Sequence, residues 1–478
     1  MSLKTRAALV LALFVGFYVL SVAVALGLFA VPAFQYLFME RVFVKVSAFC
    51  VVAGVVVLFS ALPRWDSFTP RGLPLTRGEH PALFDEIDRI AAATEQTPPV
   101  EVYLLPELNA WVAERGGVMG LGSRRVMGLG LPLVQLLTVS QLRSVLAHEF
   151  GHFHGGDTAL GPWIYKTQAG LARTVRNLAE ASHPFFMVVQ SPFKAYAEFF
   201  FKVSHAVSRA QEYGADALAA RTAGPEALIG GLTVLERAGP FWPSFLEEEL
   251  GPVLGAGRRP PLIQGFQQFL DSERVRGLGE KLLQDELDQG VSGDNDTHPC
   301  LRDRIAAVQG LELAEDVEVD SRPATELLRD IPALDVLLLD ALTSVDALSL
   351  EPVAWEDVGT AVHLPGLRKG AAGATLLHGK AIASVDVGPE ALSAVARVAT
   401  QGRTDDVGLG AWVVSAAVSV SLVAQGWTLE CGLGEEIGVR KGEHLVASRR
   451  LLEAVRAGGV WADLLAENGV RDEVFRVK

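Results

Sequence analysis

Cysteine is scarce in this chain of 478 residues. The three that occur, Cys50, Cys300 and Cys431, are far apart and show no Cys-x-x-Cys spacing. An odd, scattered set excludes a disulfide framework and a cysteine-rich zinc site. We therefore expect the soluble part of the chain to lie in a reducing compartment.

Positive charge is also in short supply. The sequence has 42 lysines and arginines against 56 acidic residues, for a formal net charge of −14. Nucleic-acid binding needs a basic face, so no nucleic-acid partner is expected. The glycine cluster at 370–373 lacks the lysine of a phosphate-binding loop and a preceding strand, which excludes that site as well.

Apolar residues, in contrast, make up half of the sequence. The uncharged run Ala7–Val31 and the later run Val42–Leu62 are each long enough to span a bilayer as a helix. A signal peptide is the competing interpretation of the first run, because Lys4 and Arg6 precede it and residues 30–33 loosely resemble a cleavage site. Its apolar core exceeds the usual length of about 7–15 residues, so a transmembrane helical hairpin is favoured.

The charges around the two runs predict their orientation. Lys4 and Arg6 precede the hairpin, three arginines follow it, and its turn offers only Arg41 and Lys45; the following arginines are Arg64, Arg71 and Arg77. By the positive-inside rule both ends of the hairpin, and so the rest of the chain, face the cytoplasm. Residues 63–80, rich in proline, glycine and arginine, are expected to form a juxtamembrane linker.

The segment most suggestive of chemistry is His148-Glu149-Phe-Gly-His152. On a helix, residues four apart share a face, so both imidazoles can reach one metal ion. Glu149 could then act as a base on a bound water whose pKa is lowered to roughly 7. Thr138 and Gln141 have the spacing of a capping box and predict where this helix begins. The alternative is a pair of core histidines bound to carbonyl groups.

A catalytic zinc needs a third protein ligand. The best candidate is Glu212, sixty residues beyond His152 and flanked by small apolar residues that suit a buried helix. Asp216 lies one turn further and could hydrogen-bond a ligand histidine. A buried pair of carboxylates without a cation would be costly. His205, two turns before Glu212, could also approach the metal, but a core or cleft position explains it better.

Short strands precede the motif. A helix is predicted from Pro81, and strands at Val100–Leu105, Asn109–Val112 and Arg125–Leu129. The exposed edge of such a sheet can hold an extended peptide through backbone hydrogen bonds. An ordinary structural sheet is the alternative interpretation.

Three segments carry a family resemblance: HEFGHFHGGDT from His148, SRAQEYGADALAA from Ser208 and DTHPCLRDRI from Asp296. They resemble the HtpX-type heat-shock metalloproteases and the related CAAX prenyl endopeptidases, over roughly residues 80–310. The resemblance implies one Zn²⁺ held by His148, His152 and Glu212, with Glu149 as the general base.

Other residues acquire roles from the same resemblance. Asp216 would support a ligand histidine from outside, and Asp157, after the motif helix, would have a structural role around the site. His298 and Arg304 would face the cleft and steady the oxyanion or the substrate. Asn109 and Ala110 also match the family pattern and are assigned to substrate binding.

The chain departs from the family between the two zinc segments. Members with more spans carry clear membrane helices there, whereas several charges interrupt Thr158–Ser204. Spanning is therefore not expected, although 184–189 and 199–201 could rest on the membrane surface. This departure argues against a multi-span chamber of the prenyl-protease kind.

The resemblance stops at Ala314. Residues 315–326 are acidic and are expected to form a linker. Residues 408–424 are expected to form a buried helix or strand rather than a third membrane span. Residues 427–446 predict a short antiparallel sheet, and residues 451–467 predict a helix. A regulatory or substrate-gating module is one hypothesis for this part of the chain.

The sequence thus predicts an α+β, mainly α fold: a membrane anchor (1–62), a linker (63–80), a zincin-like metalloprotease domain (81–313) and an α+β extension (314–478). The expected function is a membrane-anchored zinc endopeptidase of the bacterial inner membrane that cuts polypeptides, membrane proteins among them, in quality control or in processing of one defined substrate. A latent or catalytically silent scaffold that binds protein segments is the alternative. The presence of Glu149 and all three candidate ligands disfavours the silent form.

Overall fold

The chain is described here from a computed structural model. The structure describes residues 3–62, 68–69, 72–117, 122–153, 161–180, 184–292, 298–311, 317–343 and 346–476. Helices dominate these residues and the strands form small sheets. The fold class is therefore α+β, mainly α, as predicted.

The helices and strands are numbered in chain order. Those of the first half are α1 Leu3–Met39, α2 Val44–Ala61, β1 Leu73–Leu75, α3 Pro81–Ala93, β2 Glu101–Leu105, β3 Ala110–Arg115, β4 Arg124–Gly130, α4 Leu131–Leu136, α5 Val139–Gly151, α6 Gly161–Glu180, α7 Pro184–Ala223 and α8 Pro225–Ala238. The remainder are α9 Phe241–Ser244, α10 Gly251–Gly255, β5 Arg258–Arg259, α11 Leu262–Asp271, α12 Glu273–Gln289, α13 Leu301–Gln309, α14 Ile331–Leu342, β6 Glu351–Pro352, α15 Trp355–Val358, α16 Leu364–Ala371, α17 Pro389–Ala399, α18 Val407–Val423, β7 Thr428–Glu430, β8 Gly438–Lys441, β9 His444–Val446, α19 Ser448–Arg456 and α20 Trp461–Glu467.

By its internal contacts the chain divides into two compact units. The first contains residues 1–237 and 282–331, and the second contains 238–281 and 332–478. Residues 238–281, which lie within the predicted metalloprotease domain, group with the C-terminal residues. The division into functional domains remains a prediction.

In the first unit, α1 and α2 form an antiparallel helical pair. The side-chain oxygen of Gln35 closes the turn between them, accepting hydrogen bonds from the Phe43 N–H (2.9 Å) and the Ser47 hydroxyl (3.0 Å). Both helices are long and apolar enough to cross a membrane, judged by length and composition. The two apolar runs thus form the predicted pair of helices.

Helices α6 and α7 pack against this pair. Phe17 of α1, Val57 of α2, Leu171 of α6 and Phe193 of α7 belong to one buried apolar cluster. The two segments of α7 predicted to rest on a membrane surface contribute to it as well. Phe186 and Phe200 are buried there, whereas Met187, Val188 and Phe199 are exposed. These segments therefore have an inner, packed side that their composition alone did not predict.

The sheet of the first unit has the strand order β1-β2-β4-β3. Strands β2, β3 and β4 confirm the three predicted strands; β2 pairs parallel with β4, and β3 pairs antiparallel with β4 at the edge. Strand β1 was not predicted, and it lies within the expected linker 63–80. It is only three residues long and contains Pro74, which an edge strand tolerates but which conceals the strand pattern.

Helix α5 begins at the predicted capping box. The Thr138 hydroxyl accepts from the Gln141 N–H, and the Gln141 side chain accepts from the Thr138 N–H. The acidic segment 315–326, predicted as a linker, is described from residue 317 onward and packs against the start of α5. The carbonyls of Asp320 and Arg322 accept from the N–H groups of Ser140 (3.0 Å) and Val139 (2.8 Å). This segment helps to fix the start of α5.

The second unit is built around α18, which is buried on most of its length. Residues 408–424 therefore form the predicted buried helix, and β7, β8 and β9 form the predicted antiparallel sheet. Residues 451–467 were predicted as one helix, but they form parts of two helices, α19 and α20. Gly458 between them has φ +106°, a conformation that ends the first helix.

Candidate active site

The two motif histidines lie on the last turns of α5. The ring centroids of His148 and His152 are 4.8 Å apart and the rings are nearly perpendicular. Ligand atoms of His148, Glu149 and His152 all lie within 4.8 Å of one another, close enough to hold one metal ion. The i, i+4 spacing thus produces the shared helix face expected from the sequence.

Glu212 approaches both histidines from α7. One carboxylate oxygen, Oε2, lies 3.4 Å from Nε2 of His148, and the other, Oε1, lies 3.6 Å from Nε2 of His152. The side chain is 4% exposed. The three residues assigned as zinc ligands therefore converge on one point from two helices.

Gly151 explains how the two helices come so close. A Cβ atom at this position would lie 2.7 Å from the Cα of Ala215, well inside van der Waals contact. Only a glycine on α5 facing a small residue on α7 permits this crossing. The crossing in turn brings Glu212 and Asp216 over the motif histidines.

Asp216 is buried and holds both His148 and Arg304. Its Oδ1 lies 3.0 Å from Nδ1 of His148. Arg304, on α13, donates two hydrogen bonds to the same carboxylate, from Nε at 2.8 Å and from Nη2 at 2.6 Å. The contact at Nδ1 leaves Nε2 of His148 directed toward Glu212, the orientation that a metal ligand requires.

Glu149, on the motif helix α5, faces the edge strand β3. The backbone N–H of Val112, on β3, donates a hydrogen bond to its carboxylate. Burial raises the pKa of Glu149 to about 7, against the opposing charge of His148. A carboxyl group with a pKa near neutrality is suited to exchange protons during a reaction.

His298 and Arg304 both lie at the site, but in different environments. Nδ1 of His298 lies 3.0 Å from Oε2 of Glu212, and its side chain is 63% exposed. The Arg304 side chain is 12% exposed, and Nη2 lies 3.8 Å from Oε2 of Glu212. His298 is therefore the more accessible of the two to a molecule entering from solvent.

The site favours positive charge between its carboxylates. Burial lowers the pKa of His148, but the hydrogen bond with Asp216 and the adjacent Glu212 carboxylate outweigh this effect and raise the pKa to about 9. Burial and the neighbouring His148 lower the pKa of His152 to about 4. For Glu212 and Asp216, the effect of burial is outweighed by the neighbouring side chains of His148, His298 and Arg304, so their pKa values are lowered.

The residues present fit a bound cation. Oε2 of Glu212 is buried, yet among the described residues no donor forms a hydrogen bond with it in good geometry. An unsatisfied buried carboxylate oxygen is unfavourable, and a cation between it and the two imidazoles would satisfy it. Two imidazole nitrogens and one carboxylate form a donor set typical of catalytic zinc.

Asn109 and Ala110 border the same cleft. They line a cavity of about 360 Å³ together with His148, Glu149 and Arg304. Asn109 is fixed from two directions, since its side-chain oxygen accepts from the Ala110 N–H (2.9 Å) and its carbonyl accepts from the Gly130 N–H (2.8 Å). A Cβ atom on Gly130 would lie 1.9 Å from the Glu107 carbonyl oxygen, so this turn requires glycine.

Two candidates cannot be placed. Asp157 lies outside the described residues, and so does the side chain of His205. The remaining candidates are brought together: Asn109, Ala110, His148, Glu149, His152, Glu212, Asp216, His298 and Arg304.

One wall of the cleft was not predicted. Leu228, Leu232, Leu235 and Glu236 of α8 line the cavity. The leucines follow the i, i+4, i+7 spacing of a helix face, so the sequence indicates an apolar face on α8. The sequence does not indicate that this face lines the cavity beside His148 and Glu149.

A small sheet beside a helix with His-Glu-x-x-His, joined by a glutamate from a later helix, defines a metallopeptidase of the zincin kind. Residues 79–312 match the model of Peptidase family M48. This segment, just under half of the chain, is therefore similar to the HtpX- and CAAX-type zinc metalloproteases, which confirms the resemblance over residues 80–310. No solved structure matches this chain.

Proposed function

We propose that the protein is a membrane-anchored zinc endopeptidase. The observation that carries the proposal is the convergence of His148, His152 and Glu212 on one point beside Glu149, with a buried oxygen of Glu212 left without a hydrogen bond. The match of residues 79–312 to Peptidase family M48 supports a metallopeptidase, and the convergence of these four residues supports this point of the fold as the place of the reaction.

In this proposal His148, His152 and Glu212 hold one Zn²⁺. Bound zinc supplies a Lewis acid that polarises the scissile carbonyl and lowers the pKa of water to about 7. Glu149 accepts a proton from the attacking water and delivers it to the leaving amine. The Val112 N–H donor holds the Glu149 carboxylate in place for both transfers.

The other residues of the site orient the proposed ligands and the substrate and stabilise the charge that develops during the reaction. Asp216 fixes the ring of His148 through Nδ1. Two donor groups of Arg304 are engaged by Asp216, so Arg304 acts by positioning, and the exposed His298 meets the charge that develops on the substrate carbonyl. The edge strand β3, with Asn109 and Ala110 at its start, holds the peptide in extended form.

Removal of the metal tests this proposal. We expect protein purified in detergent to contain about one zinc per chain and to cleave casein. A chelator should abolish cleavage, and added Zn²⁺, but not Mg²⁺, should restore it, because imidazole ligands favour zinc. Metal analysis and a casein assay measure both. Cleavage that persists after the zinc has been removed would contradict the proposal.

Helices α1 and α2 are proposed to span the bilayer, with both ends in the cytoplasm. Their length and apolar composition support an integral membrane protein, in a bacterium one of the inner membrane. The flanking lysines and arginines support the orientation. The substrates are polypeptides, with damaged or misassembled membrane proteins as the proposed main class.

The topology can be tested with a tag after Lys478. In spheroplasts we expect the tag to resist added proteinase and the protein to stay in the membrane fraction after carbonate extraction. Lysis should expose the tag. Digestion of the tag in intact spheroplasts would place the catalytic residues on the other side of the membrane.

A further inference from the structure

The cavity beside the reaction residues has a wall of mixed character. Much of its lining is apolar, contributed by Leu133, Val145, Leu228, Leu232, Leu235 and Leu301. Within the described ranges, the acidic residues that line it are Glu149 and Glu236. Its volume of about 360 Å³ lies in the range of sites that bind small ligands or side chains.

Glu236 carries a carboxylate for which the described part of the chain offers no partner. It lies on α8 one residue after Leu235 and is partly buried, and none of the described residues forms a hydrogen bond or ion pair with it. Burial raises the pKa of Glu236, Glu286 raises it further, and Arg304 opposes them. Arg304 does not neutralise it, because two of its donor groups are bound to Asp216.

An unpaired charge beside apolar side chains costs free energy, which a cation entering the cavity would offset. Lysine and arginine suit such a site, because their methylene stems pack on apolar surface while the charged end reaches a polar group. Aliphatic side chains would fill the leucine wall but leave the carboxylate unpaired. Acidic side chains would be repelled.

We propose that Glu236 makes this enzyme prefer a lysine or arginine next to the scissile bond, with the stem on the leucine wall and the cationic end on the Glu236 carboxylate. The inference rests on the proposed endopeptidase function and adds a substrate class to it. Cytoplasmic segments that flank membrane spans are rich in lysine and arginine, so the preference agrees with membrane proteins as substrates.

The test begins with casein. Cleavage sites are mapped by mass spectrometry, and a peptide around the most rapidly cut bond is then synthesised in variants. Each of the two positions that flank the bond carries in turn lysine, norleucine or glutamate; norleucine keeps the stem of lysine and lacks the charge. At one of these positions we expect kcat/KM for lysine to exceed that for norleucine by about 10-fold, the scale of one charge-assisted hydrogen bond.

Two variants assign the preference to its residue. In Glu236→Gln the ratio of the lysine to the norleucine peptide should fall to about 1. Glu226→Gln makes the same change at an exposed position on the same helix and should leave the ratio as in wild type. A loss of folded protein lowers both rates equally, so the ratio reports recognition and not stability.

The possible outcomes distinguish the role of Glu236 from the proposed peptidase function. Equal rates for lysine and norleucine at both positions in wild type, or an unchanged ratio in Glu236→Gln, would overturn the role of Glu236 while leaving the peptidase intact. Failure to cut casein or any peptide would overturn the proposed function, and the inference with it.

Discussion

The Glu149→Gln enzyme is expected to keep its zinc and to cleave casein about 10²–10⁴-fold more slowly than wild type, the usual contribution of a general base. Glutamine has the shape of glutamate but cannot accept the proton from water. Its side-chain oxygen can still accept the hydrogen bond from the Val112 N–H, so the local structure should be preserved. Casein cleavage and zinc content, measured on the same preparation, test both expectations.

Glu226→Gln is the matched control, since it removes a carboxylate from an exposed position of the first unit and should retain wild-type activity. Full cleavage by Glu149→Gln would show that Glu149 is not the base. Loss of zinc in this variant would show instead that Glu149 belongs to the ligand set, in agreement with its position within 4.8 Å of both histidine ligand atoms.

The second large effect is expected at Asp216. Substitution by asparagine should weaken zinc binding about 10–100-fold, because residues that orient ligand histidines typically contribute that much. It should also destabilise the protein by about 3–5 kcal/mol, since the buried Arg304 guanidinium loses its charged partner. Competition with a chromophoric chelator measures the first effect, and thermal unfolding in detergent the second.

Asp88→Asn provides a comparison of the same chemical change. Asp88 is paired with Arg77, but both side chains are about half exposed, so its loss should cost less than about 1 kcal/mol and leave zinc affinity unaltered. If Asp216→Asn binds zinc as tightly as wild type, the contact of Asp216 with Nδ1 of His148 does not tune the metal site.

Local sequence patterns predicted the features that are determined within a single helix or strand. The capping box at Thr138 specified the start of α5, because both of its hydrogen bonds are made between neighbours in sequence. Strand β2 was predicted from alternation, and β3 and β4 from two stretches separated by a glycine-rich turn. The uncharged run 408–424 predicted a buried helix or strand, and it forms α18. The pairing of His152 with Glu212 across sixty residues needed a chemical argument, namely that two histidines alone leave a catalytic zinc site without its third protein ligand.

Other features that depend on contacts between distant segments were not predicted. Strand β1 is defined by its pairing with β2 and not by its own three residues. The acidic stretch before α14 was predicted to be a linker, because its contacts with α5, through backbone groups and through Asp320 with Ser140 and Arg143, join residues about 180 positions apart in the sequence. Glu236 was missed for a similar reason, since nothing within α8 indicates that it faces the motif helix.

The packing of helix α7 limits which fragments of this protein can be expected to fold. Phe193 and Phe200 are buried against the hairpin, and Glu212 follows Phe200 on the same helix by twelve residues, or about 18 Å. The N-terminal helices thus support the helix that carries Glu212, the proposed third ligand, and cannot be treated as a detachable tether. A fragment that starts after residue 62 would leave those phenylalanines facing water and α7 without its support. Reconstitution with the hairpin in place, and not truncation to a soluble core, is the sound route to an active preparation.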